Sequence, residues 1–262
     1  VHADDGHGNQ SADVSLSTQN SFSCPKTDPL SSLTSSYVGV PANPDVGVSY
    51  DFCVAKYEMR PARNADQSIW NGNFYAGTMF GGTCSTNGCR SSNYGSFGSG
   101  QSLFDARVDF HPISQPGTTP WGAIRRVEAI DECASLGSSY RLISNTEWQA
   151  IGRSVEMVDG NWSSGTVGQG KINQGHSDAV TDASAPCFGN NTGQFNSYTC
   201  ALPASSNDSD GYYLTGNTSS SGWEQKRTHT LTTGEVIWDF AGNVYEWVME
   251  STYTLSASPA TS

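Results

Sequence analysis

Apolar positions are sparse and unevenly spaced along the 262 residues. Residues 1–23 are polar apart from Val14 and Leu16, whose alternation allows one edge strand, and they read as a tail or linker ahead of a domain spanning 24–262. Tyr50–Met59 alternates Phe52, Val54 and Tyr57 with smaller or polar residues, which predicts a strand. Residues 61–118 carry Gly, Ser and Asn with isolated aromatics and no sustained period. A stretch of that kind within a domain is functional or is held by insertions.

Two helices are predicted next. In the first, Thr119 caps and Pro120 opens a run in which Ile124, Val127, Ile130 and Ala134 recur at helical spacing, until Gly137 stops it. In the second, Ser144 and Glu147 form a capping box, and the helix runs to about Arg153 with Trp148 and Ile151 inward. Val155–Thr232 is again polar and loop-like. Gly234–Val248 is apolar and β-branched, interrupted at Ala241-Gly242-Asn243. Short strands, two helices and long loops predict an α+β fold.

Composition narrows the chemistry. A net charge of −12 repels nucleic acid and anionic lipid, and no apolar run is long enough to span a membrane. The 7 cysteines include no C-x-x-C pair, which favours disulfides over zinc and places the chain in an oxidising, exported setting, secreted or at the cell surface. N-x-S/T sequons begin at Asn9, Asn161, Asn190, Asn207 and Asn217, and Val1-His2-Ala3 has the small-x-small form of a signal-peptide end. Proximity pairs Cys24 with Cys53, Cys84 with Cys89 across an Asn-Gly turn, and Cys187 with Cys200, leaving Cys133 unpaired or joined to another chain. Trp70, Tyr75, Trp162, Tyr212, Tyr213 and Trp223 are either anchors of small loop cores or a ligand surface.

Four segments in order resemble the formylglycine-generating enzyme, or sulfatase-modifying-factor, family, a variant of the C-type-lectin fold. They are Phe52–Glu58, Pro120–Gly137, Arg141-Leu-Ile-Ser-Asn-Thr-Glu-Trp148, and Trp238-Asp-Phe-Ala-Gly-Asn-Val-Tyr-Glu-Trp247. The resemblance implies a disulfide-stapled, loop-rich domain with small antiparallel sheets. It also implies structural calcium, held by the carbonyls of Ala241, Gly242 and Val244 with the Glu246 carboxylate. A second ion would be held around Asp210 and Tyr212 with Asn196 and Ser197.

The family's redox-active cysteine pair follows an R-G-G-S-W segment, and neither is found in the fifteen residues after Trp247. No catalytic residue or cofactor is therefore assigned. The expected function is non-catalytic binding or adhesion to a glycan or protein ligand at a cell surface. The rivals are a thiol oxidase whose catalytic C-terminal part is missing, and a self-assembling filament or sheath subunit. In the family, the equivalent of Cys133 is bonded to a cysteine near the C-terminal end of the fold. Here Cys133 is expected to be a buried thiol facing a gap in the core, or to be bonded to a partner segment that completes the sheet.

Overall fold

A computed structural model describes residues 22–64, 66, 67, 69, 110–121, 126–176, 201–215, 222–244 and 246–250. Within them lie two α-helices, three two-stranded antiparallel sheets and one disulfide. Strand β1 (Tyr37–Val40) pairs with β2 (Phe52–Ala55), Gly39 lying opposite Cys53. The Cys24–Cys53 disulfide pins the incoming chain to this sheet, as the spacing predicts. Phe22, within the stretch read as a tail, packs across Gly39, where a Cβ would sit 2.9 Å from its ring.

Strand β3 (Arg60–Arg63) pairs with β4 (Phe110–Ile113). Both fall inside the stretch that reads as aperiodic, and the reason is visible in their composition: each contains a proline, and β4 is buried at every position, which erases the alternation. His111 on β4 is buried with Nε2 3.0 Å from Asp28 Oδ2 and Nδ1 2.5 Å from Asn64 Oδ1.

Helix α1 (Arg126–Ser135) corrects the sequence reading at its start. Thr119–Trp121 is irregular, and the Trp121 N–H donates to the Met59 carbonyl, which ties this segment to the chain ahead of β3. Its inward face also differs, with Ala129, Glu132 and Leu136 buried and Ala134 exposed. Gly137, at φ +127°, ends the helix as expected.

Helix α2 (Asn145–Glu156) has the predicted capping box and runs three residues past Arg153, burying Ala150, Ile151 and Val155. Strand β5 (Thr228–Thr230) lies in the segment read as loop, its Thr-His-Thr sequence giving no apolar signal. It forms a hairpin with β6 (Val236–Trp238). The strand predicted over Tyr50–Met59 ends at Ala55: the Lys56 N–H donates to Ser36 and its carbonyl accepts from the Trp238 N–H, so the chain passes from β1 to β6.

One core unites these parts. Val38, Val40, Ala150, Ile151, Leu231 and Ile237 pack together, with Phe52, Val54 and Phe240 against them. At roughly 25 cal/mol per Å² of apolar surface, this cluster is the main source of stability in the β1–β2, α2 and hairpin layers. No helix of the described residues is long and apolar enough to cross a membrane.

Candidate functional site

After β6 the chain makes a tight left-handed excursion: Asp239, Gly242 and Asn243 have φ of +54°, +88° and +63°. Gly242 is required here, since a Cβ would sit 2.6 Å from the carbonyl oxygens of both Gln174 and His176. Asn243 tolerates the left-handed region and uses its N–H and both side-chain polar atoms. Its N–H donates to the His176 carbonyl at 2.5 Å, its Oδ1 accepts from Leu202 N–H at 2.7 Å, and its Nδ2 donates to Leu202 O at 3.0 Å and Glu58 Oε2 at 2.5 Å. The interruption seen in the sequence is therefore a clasp joining three separate segments.

Carboxylates collect at this turn. Glu58 accepts from Asn243 Nδ2 and, at 3.2 Å, from the Val244 N–H. Glu246 accepts from the Trp148 indole at 3.0 Å, and that indole stacks on Phe240. Burial pushes the Glu58 carboxyl well above its ordinary value, reinforced by Asp239 and Glu246 and opposed by Asn243 and Arg227. Low-dielectric surroundings push Glu246 up to about 7, against the Trp148 hydrogen bond. Glu246 is exposed as a residue, with its carboxylate turned onto the Trp148 indole.

Beside the turn lies a cavity of about 580 Å³ between β2, α1 and α2. Phe52, Val54, Trp121, Leu136, Trp148 and Phe240 supply apolar walls, and Cys133, Glu58, Glu246 and Trp247 also line it. Cys133 is a free thiol, half-buried, and burial with Glu132 nearby pushes it up to about 11. It is thus protonated at neutral pH and a poor nucleophile.

Of the calcium donors the resemblance implies at Ala241, Gly242, Val244 and Glu246, all lie on this turn. The Ala241 carbonyl packs against Gly175, and one Glu246 oxygen takes the Trp148 indole. Among the described residues no group of three or more His, Cys, Asp or Glu is arranged to hold a metal ion. A site made mainly of backbone carbonyls differs from such a cluster.

The second predicted ion site takes the form of tandem turns. The Asp210 N–H donates to Asn207 O and its carbonyl accepts from Tyr213 N–H, with Asp210 exposed. Tyr212 is half-buried, its phenol raised by burial. Asn196 and Ser197 lie outside the described residues, as do Cys84, Cys89, Cys187, Cys200, Trp70 and Tyr75.

The remaining loop aromatics act as anchors. Trp162 donates to Glu156 O at 2.8 Å, Tyr213 packs on Tyr57, Ala204 and Trp238, and Trp223 donates to Lys171 O while Lys226 Nζ sits 5.0 Å above its ring. Glu58, Asn243 and Trp247 were not singled out as site residues in the sequence. Their signal was the string around Asn243, and for Glu58 its place just past β2. No family model, curated protein or solved structure matches the chain.

Proposed function

We propose that the chain is an exported, non-catalytic binding or adhesion protein on a C-type-lectin-like frame of the formylglycine-generating type, recognising a glycan or protein ligand at a cell surface. The cavity between β2, α1 and α2 carries this reading. Its volume falls in the range of small-ligand sites, roughly 300–1,000 Å³, and its aromatic walls are offered by rigid elements. The protonated Cys133 thiol supports binding over thiol chemistry. Calcium belongs to the same proposal as a stabiliser of the 241–246 turn, supplied by backbone carbonyls and Glu246.

A second reading, a partner segment seated on β2 against Cys133, is favoured by the same cavity, since β1 covers only one edge of β2. The test compares wild type with Ala55→Trp, which fills the cavity from β2, in binding to a glycan array and to cell layers. Loss of signal in the variant supports the proposal, and equal signal refutes it.

A further inference from the structure

The cavity is apolar in its walls and one-sided in its charge. Glu58 and Glu246 both line it, and Glu246 lies near enough to reinforce the upward push on the Glu58 carboxyl. Among the described residues neither forms an ion pair. The cations that would neutralise them are committed elsewhere: Arg227 to Asp239, and Arg141, the only basic side chain among the described residues lining the cavity, to Glu147. Carboxylates facing apolar walls without a counter-charge are costly, and a cation entering the cavity would complete them.

The aromatic side chains give that cation a second means of recognition. Trp148, stacked on Phe240 at 4.8 Å between centroids, holds Glu246 through its indole N–H, and Trp247 also lines the cavity at 46% exposure. Aromatic faces beside carboxylates attract an ammonium group electrostatically while the walls accept a hydrocarbon body. Tyr37, buried, also lines the cavity.

We propose that this cavity binds a small organic ammonium ion with an apolar body, its charge set between Glu58 and Glu246 and its body against Trp148, Phe240 and Phe52. The inference rests on the cavity being the binding site of that reading and narrows what enters it to an ammonium-bearing group with an apolar stem, for which a small organic ammonium ion is the probe.

The test is a charge series of one size, titrated into the full chain at pH 8 with a chelator present and read by tryptophan fluorescence and calorimetry. The probes are 2-phenylethylammonium, 2-phenylethanol and 3-phenylpropionate. The ammonium is expected to bind at least about tenfold more tightly than the alcohol, and the carboxylate more weakly than both. Glu246→Gln, at an exposed residue, and Glu58→Gln are each expected to remove the preference for the ammonium. If Glu58→Gln does not fold, the Glu246 variant and the wild-type series still decide. Equal binding of ammonium and alcohol, or a preference that survives Glu246→Gln, overturns the inference and leaves the cavity as a ligand site. No binding of any probe overturns both.

Discussion

Arg227 and Asp239 form a buried two-pronged ion pair, Nε and Nη2 each 2.7 Å from a carboxylate oxygen, with side chains 0% and 1% exposed. The guanidinium also takes the carbonyls of Leu202, Pro203 and Tyr213, so a charge on β5's approach gathers two loops against the turn after β6. Breaking one side of such a pair leaves an uncompensated charge. Arg227→Met is expected to cost about 3–5 kcal/mol in denaturant unfolding. Arg227→Met with Asp239→Asn should recover part of that loss, because Asn keeps the left-handed backbone of Asp239 while removing its charge. A double variant no more stable than the single one would show that the carbonyl contacts, not the charge, dominate.

The capping box of α2 has a pH signature. Burial disfavours ionised Glu147, but hydrogen bonds from Arg141, the Ser144 N–H and hydroxyl, and Tyr50 hold it down at about 2. A depressed carboxyl pKa stabilises the native state fully above the unfolded value, ordinarily 4.5, and the contribution disappears as pH falls toward 2. The melting temperature is therefore expected to drop between about pH 4.5 and 2, and Glu147→Gln to flatten that part of the profile. Ser144→Ala should cost about 0.5–2 kcal/mol at neutral pH.

What the sequence made legible divides along physical lines. Helix α2 was readable because its cap, Ser144 and Glu147, is local chemistry at fixed spacing, and the Cys24–Cys53 bond because proximity limits partners. Strands β3, β4 and β5 were hidden, being short, proline-bearing or wholly buried, so their pairing comes from contacts distant in sequence. The Thr-Pro cap signal misled because Thr119–Trp121 is irregular, tied by the Trp121 N–H to Met59 through a tertiary bond that local spacing does not reveal. The turn residues 241–246 were identified by their string, but Glu58, some 185 residues away, joins them only through Asn243.

Peptide mapping without reduction is expected to find Cys24 bonded to Cys53 and Cys133 as a thiol. Cys24→Ser with Cys53→Ser should cost about 3–4 kcal/mol, the loop-closure value for their separation of 29. Alkylation of native Cys133 should be slow near neutral pH and accelerate only as pH approaches 11 or the chain unfolds. Fast labelling at pH 7 would contradict its burial.

If calcium occupies the 241–246 turn as proposed, a chelator lowers the melting temperature and calcium restores it. An ion at a hundred times its Kd contributes about 2.7 kcal/mol. Glu246→Gln should reproduce the chelator effect and remove any further response to it. An unchanged melting curve in both experiments would rule the ion out at this turn.

The sequons separate in the folded chain, and glycopeptide mapping can read the difference. Asn161 is fully buried: its Nδ2 donates to the carbonyls of Val155 and Thr230, and its Oδ1 accepts from Thr230 N–H. It links the end of α2 to β5, and a sugar on that nitrogen would replace one of its two hydrogens, break one donation and force a bulky group into a fully buried position. Asn207 is exposed, its Oδ1 accepting from Ser209 N–H. Expressed through a glycosylating secretory route, the chain is expected to carry glycan at Asn207 and none at Asn161 in the folded fraction. Asn161→Asp should leave the glycan mass unchanged yet cost about 1–3 kcal/mol, since the bonds to two buried carbonyls are lost. Glycan at Asn161 in a chain that keeps its native melting temperature would refute this placement of the α2–β5 junction.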